Sequence, residues 1–224
     1  MHVDDIFTKA HAAGKIPVSF EMFPPKGELT LDKARDAAKK LSAYGPDFIS
    51  VTCSAGGGGN FAQTAAIASM LESALSEGIE GSRVLDAFAG SGALGLEVLS
   101  RGAEHTVFFD VDRSAAALVK RNLAKLSCAP ARFQVLCGDV IASARRGRVP
   151  GGPFDAVLID PPYALGSQPA IDLIGALREH GLLADGAVVM FERISSTPAL
   201  SIDGFETVKE KRYGQTCIDL LRME

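Results

Sequence analysis

The chain has 224 residues, 47% of them hydrophobic, with 23 basic and 27 acidic side chains and a formal net charge of −4 at pH 7. That length holds one large domain, or one ordinary domain with a partial second one, and can bury a sizeable core. The composition excludes a protein whose whole surface is basic for nucleic acid, and no apolar run approaches the roughly 20 residues of a membrane span.

The first 15 residues carry His2, Asp4 and Asp5 and no apolar core, so no secretory signal is expected and the cytoplasm is the expected compartment. In chain order, residues 17–23 read as a strand, 31–44 as a helix ended by Gly45-Pro46, and 48–52 as a second strand. Four glycines, 56–59, predict a turn before a helix over 61–76 with Asn60 as its N-cap. From Arg83 onward the pattern becomes regular, with strands at 84–87, 106–109, 133–136, 156–159 and 187–191. Helices fit between them, such as 114–126 with Ala115, Val119, Leu123 and Leu126 facing inward. Short apolar strands alternating with helices predict a parallel α/β sheet covered on both faces. Residues 205–212 and 216–222 flank Tyr213-Gly214-Gln215 and predict an antiparallel hairpin at the sheet edge. Cys53, Cys128, Cys137 and Cys217 lack metal-ligand spacing and read as free thiols, with no metal site expected.

Residues 84–95, VLDAFAGSGALG, run an apolar strand into a small-residue loop and a helix start. Gly90 and Gly92 let the backbone turn tightly and approach a ligand, and the helix start supplies free N–H groups. Asp110 ends the next strand, where a carboxylate can accept from both hydroxyls of a ribose; the alternative is a loop or capping aspartate, although Asp112 is the better cap for the following helix. Asp139 fits either an acceptor for an adenine amine, with Val111 and Val140 on the purine faces, or a plain helix N-cap. The spacing Gly90, Gly92, Gly95 also matches a dinucleotide-binding turn, so the loop alone does not choose between cofactors. Asp160-Pro161-Pro162-Tyr163 chooses, because hydride transfer has no use for it. The Asp160 side chain and the Pro161 carbonyl can grip the hydrogens of a planar amine, Pro162 stiffens the turn, and Tyr163 can stack on a base. Together these residues read as a methyltransferase using S-adenosylmethionine. Two basic clusters, Arg145, Arg146 and Arg148, and Lys209, Lys211 and Arg212, are either solvated surface or phosphate contacts.

Residues 84–103, 108–123, 154–163 and the closing RYGQT of 212–216 resemble the RsmD-type small-subunit ribosomal RNA guanine-N2 methyltransferases. The resemblance covers about residues 70–224. It implies a Rossmann-like sheet with a C-terminal antiparallel hairpin, S-adenosylmethionine as cofactor, ribosomal RNA or the small ribosomal subunit as partner, and no membrane. It puts cofactor binding on Asp86, Phe88, Gly90, Gly92, Asp110, Val111, Asp139 and Val140, and the amine grip on Asp160, Pro161, Pro162 and Tyr163. Methylation of a DNA amine shares the same loop logic and is the enzymatic alternative.

The first third departs from that family, whose leading helix carries arginines; residues 60–69 have none. Instead, IPVSFEMFPPK (16–26) and GPDFISVTCSAGGGG (45–59) resemble the start of methylenetetrahydrofolate reductase, a flavin-containing β/α barrel in which the residue matching Glu21 is catalytic. Two strands do not close an eight-stranded barrel, so flavin chemistry is not expected of this fragment. The expected organisation is a fusion: a TIM-barrel-type β-α-β-α fragment over 1–68 and a methyltransferase domain over 69–224. Loss of the RNA-placing arginines leaves a third alternative, a silent protein that still binds the cofactor. The helix over 61–75, apolar at Ile67, Met70, Leu71 and Leu75, is expected to cover the sheet in place of the family's own. The two upstream strands are expected to seek the sheet edge or another chain.

Overall fold

The computed structural model describes residues 19–22, 40, 48–51, 61–126 and 128–224. The chain divides into two units, Met1–Gln63 and Thr64–Glu224. In the first, β1 (Ser19–Met22) and β2 (Phe48–Val51) pair in parallel, with Ser19 opposite Phe48 and Met22 opposite Val51. They form a two-stranded sheet of their own, the parallel pairing that a β-α-β unit gives. The segment between them is long enough for the crossover that parallel pairing requires. The helix expected over 31–44 lies outside the described residues, apart from helical Lys40. The glycine turn, Asn60 and Cys53 also lie outside them.

α1 (Phe61–Ala74) leads into the second unit. There follow β3 (Arg83–Asp86), α2 (Ala93–Ser100), β4 (His105–Asp110), α3 (Arg113–Lys125), β5 (Phe133–Cys137), α4 (Val140–Ala144) and β6 (Phe154–Ile159). α5 (Gln168–Glu179), β7 (Leu183–Ile194), β8 (Phe205–Tyr213) and β9 (Thr216–Met223) complete it. The sheet order is β5-β4-β3-β6-β7-β9-β8. β5 to β7 are parallel, whereas β9 runs antiparallel to both β7 and β8, which is the expected edge hairpin. Strand order reverses beside β3, so the loops after β3 and β6 open side by side at the carboxyl edge, where ligands enter such sheets.

The strands are apolar along both faces because helices cover both. Leu85, Val107, Phe109, Val157, Ile159, Val189 and Phe191 pack with Ala170, Leu173, Ile174 and Leu177 of α5. On the other face Val84, Ala156, Leu158, Val188, Met190, Ile218 and Leu220 pack with Ile67, Met70, Leu71 and Ala74 of α1. The expected cover helix therefore does close this face, with Leu75 only partly buried. Arg101 ties α1 down, donating to the Ala65 carbonyl at 3.1 Å and to Glu72 at 2.9 Å. In α3 the buried residues are Ala116, Val119 and Leu123. The inward assignment of Leu126 is corrected: it follows the last helical turn and is 63% exposed, while Ala115 is half-buried one step round the helix.

One ion pair lies inside the sheet. Arg193 of β7 and Asp219 of β9, 5% and 1% exposed, meet through two hydrogen bonds of 2.7 and 3.0 Å. Asp219 also accepts from the Leu200 N–H at 2.9 Å, and Arg193 donates to the Thr197 carbonyl at 2.7 Å. Each nitrogen of the Arg193 guanidinium and both Asp219 oxygens thus have a partner, which fastens the 195–200 segment across the strands.

Candidate functional site

Three acidic strand ends converge at the carboxyl edge. Asp86 ends β3 and is 3% exposed; its Oδ2 accepts from the Gly95 N–H at 3.0 Å, pinning the first turn of α2 to the strand. Gly95 makes that approach possible, because a Cβ there would run into the Phe108 ring and the Asp86 carboxylate. The intervening loop turns through Gly92, whose φ of 80° lies in the left-handed region. Asp110, at the end of β4, reaches back to this loop: its Oδ2 accepts from the Gly90 N–H at 2.7 Å and its Oδ1 from the Asp112 N–H at 2.8 Å. A carboxylate has about four acceptor positions, so two remain for a ligand.

The structure separates the remaining expected cofactor residues. Val111 is 71% exposed beside Asp110 and offers apolar surface at the edge, whereas Val140 is 3% exposed and turned into the core beneath α4. The purine-facing expectation for Val140 is corrected accordingly, since the Asp139 cap starts α4 with this side chain pointing inward. Asp139 Oδ1 accepts from the Ala142 N–H at 2.9 Å, the capping geometry. Asp112 caps α3 through Ser114 at 2.6 Å, as expected. Phe88 is partly buried against the core.

Asp160 follows β6 directly; the residue keeps an exposed surface, although protein surrounds most of its carboxyl group. Pro161 is buried, and among the described residues no N–H donates to its carbonyl. Tyr163 is 45% exposed; its hydroxyl donates to Glu192 Oε1 at 2.9 Å and lies 3.2 Å from Thr216 Oγ1. Glu192 is absent from the sequence reading. It is brought in by register: Ile159 stands opposite Phe191 in the β6–β7 pairing, so the next residues along, Asp160 and Glu192, emerge side by side.

Walls of protein and neighbouring negative charge change these carboxyls. Asp160 is pushed up to about 7 by burial, then by Glu192 and by Asp86. Glu192 is also raised, by burial, with the Tyr163 hydrogen bond opposing. Asp86 is pushed up to about 7, chiefly by burial against the lowering Gly95 bond, with Asp110 adding repulsion. Below its unfolded value of 3.8 Asp86 is protonated in both states. As pH rises towards about 7 only the unfolded chain releases the proton, so stability falls across that window. Asp86→Asn is therefore expected to gain on the wild type with pH, the gap in unfolding free energy widening by on the order of 2 kcal/mol between pH 5 and pH 8. Denaturant titrations at the two pH values measure it, and a constant gap would show that Asp86 is already ionised at pH 5.

The two basic clusters behave differently. Arg145 pairs with Asp172 at 2.8 Å, while Lys209, Lys211 and Arg212 lie exposed on the edge strand β8, Lys211 standing 5.0 Å over the Tyr213 ring. Cys128, Cys137 and Cys217 are free thiols.

A doubly covered parallel sheet with an antiparallel hairpin at one edge and an acidic, glycine-turned carboxyl edge defines the Rossmann-like methyltransferase class. The same fold, at 18% identity and a TM-score of 0.56, occurs in the rRNA methyltransferase aviRa of Streptomyces viridochromogenes over 76% of this chain and 88% of that one. The chain belongs to the family described as conserved hypothetical protein 95, whose model matches residues 64–222. It is 32% identical to ribosomal RNA small subunit methyltransferase D of Haemophilus influenzae over 61% of this chain and 69% of that protein. To the Escherichia coli K12 protein of the same name it is 34% identical, over 62% and 68%. A second model, methylenetetrahydrofolate reductase, matches residues 6–80 and overlaps the first across α1. The composite make-up expected from the sequence is therefore present in the family matches.

Proposed function

We propose that the chain transfers a methyl group from S-adenosylmethionine to the exocyclic N2 of a guanine in small-subunit ribosomal RNA, in the cytoplasm. The observation that carries this is the convergence of Asp86, Asp110 and the Asp160–Tyr163 loop on one carboxyl edge, in a chain related to small-subunit rRNA methyltransferases. The residues fit the cofactor: Asp110 keeps acceptors for ribose hydroxyls, exposed Val111 offers a face to a purine, and the space beside Gly90 is open for the methionine end. Asp139, already holding Ala142, has a second oxygen for the adenine amine. The methyltransferase unit is assigned to residues 69–224 and the reductase-like fragment to 1–68, with the join inside α1.

When bound, S-adenosylmethionine supplies an electrophilic methyl on a sulfonium sulfur and leaves as the neutral thioether. The protein's part is orientation. A guanine amine is a weak nucleophile because its lone pair is delocalised into the ring. The Asp160 carboxylate and Pro161 carbonyl each accept one amine hydrogen, which favours a pyramidal nitrogen and aims its lone pair at the methyl. Asp160, whose raised proton affinity suits it as acceptor near neutral pH, would take the proton that the amine gives up on methylation. Tyr163, held at its hydroxyl, keeps its ring available to stack on the base.

Labelled methyl from the cofactor is expected to enter undermethylated small ribosomal subunits, and nucleoside analysis to return N2-methylguanosine. Label in adenine or cytosine amines, or none, would overturn the reading. In calorimetric titration S-adenosylmethionine is expected to bind the wild type saturably and Asp110→Ala at least about tenfold more weakly, two ribose hydrogen bonds to a charged group being lost.

A further inference from the structure

Glu192 has no part in the amine grip, yet its backbone emerges level with Asp160 and its Oε1 is held by the Tyr163 hydroxyl at 2.9 Å. That hydroxyl has one proton, given to Glu192, so Thr216 is the donor in the 3.2 Å contact between the two hydroxyl groups. The phenol is thereby fixed between β7 and β9, and the Glu192 carboxylate is fixed with it. Its Oε2 has no hydrogen-bond partner among the described residues. The site thus presents two adjacent carboxyl groups, Glu192 disfavouring ionisation of Asp160, beside a ring suited to stacking.

The hydrogen-bonding edges of the bases differ in what lies next to the amine. Guanine carries the N1–H donor beside its N2 amine. Adenine has the bare N1 acceptor beside N6, and cytosine the bare N3 acceptor beside N4. One acceptor for the amine therefore suits all three bases, whereas a second acceptor alongside it suits guanine alone. Against adenine or cytosine the second carboxylate would face a ring lone pair, left unpaired and repelled.

Resting on the proposed guanine-N2 activity, we infer that Glu192 is the specificity-determining residue of the site, its free Oε2 accepting the N1–H of the target guanine while Asp160 and Pro161 hold the amine. Discrimination arises from negative charge placed at the ring nitrogen, and Tyr163 serves both as stacking platform and as the clamp that orients that charge.

The test uses the one guanine that the wild-type protein methylates in small subunits. RNA carrying either guanine or 2-aminopurine at that position is made by ligation and reassembled into subunits; 2-aminopurine keeps the reacting amine and lacks the N1 hydrogen. The wild type is expected to favour guanine by at least about tenfold in kcat/KM, and Glu192→Gln, whose amide can also donate, to reduce that preference to about twofold or less. Cofactor affinity measured by calorimetry is expected to be equal in the two proteins. Equal wild-type rates on the two RNAs overturn the inference, as does an unchanged preference in the variant. Loss of activity on both RNAs alike in the variant assigns Glu192 to holding the loop and overturns it too. A wild type that labels no guanine defeats the functional reading itself, a result separable from the others because it needs no variant.

Discussion

Asp160→Ala is expected to lower methyl transfer to small-subunit RNA by at least about a thousandfold while leaving S-adenosylmethionine affinity within about twofold. The split follows from where the residue stands. Asp160 leaves the end of β6 on the side of Glu192 and Tyr163, whereas Asp110, the proposed ribose acceptor, lies two strands away at the end of β4. In the proposed mechanism, removing the carboxylate takes away one of two acceptors for the amine and the receiver of its proton. Single-turnover rates with labelled cofactor read the loss in chemistry, and calorimetry reads retained binding. A loss below about tenfold would place the amine grip elsewhere, most simply on Pro161 alone.

The largest stability effect is expected at a residue remote from chemistry. Asp219→Ala leaves the Arg193 guanidinium buried at 5% exposure without its bidentate partner and strips the Leu200 N–H of its acceptor, so a loss of about 3 to 5 kcal/mol in unfolding free energy is expected. Glu210, 3.0 Å from Arg193 but 53% exposed, offers only partial compensation. The double replacement Arg193→Met with Asp219→Leu removes both charges and is expected to recover more than half of that loss. Denaturant melts of the single and double variants decide the matter: if the double is no more stable than the single, the penalty comes from lost packing rather than from an unpaired charge.

The sequence disclosed the loop after β3 and the Asp-Pro-Pro-Tyr turn because both are local: small residues, prolines and acids stand in consecutive positions after apolar runs. Element type followed from the same alternation, and the parallel sheet with its edge hairpin is as expected, whereas the order of the strands rests on their pairing alone. Glu192 escaped because its place depends on pairing. The expected strand ended at Phe191, and only the alignment of Ile159 with Phe191 reveals that β7 runs on past β6 to set a second acid beside the first. Val140 escaped for a different reason. An Asp-Val step after a strand looks the same whether the valine meets a ligand or begins a helix, and the cap on Asp139 decides which way it turns.

α1 is matched by both family models and yet does the work of one domain, covering Val84, Leu158, Met190 and Ile218 with a few side chains of ordinary helical spacing. Interchangeability follows. The sheet asks its leading helix for bulk at Ile67, Met70 and Leu71 and an anchor for Arg101, and asks nothing of the ancestry of what comes before. A crossover between unrelated genes landing in such a helix survives selection for folding far more readily than one landing in a strand, whose neighbours on both sides must match its register. With the join placed in α1, as proposed, seams between grafted modules should be sought first in outer helices.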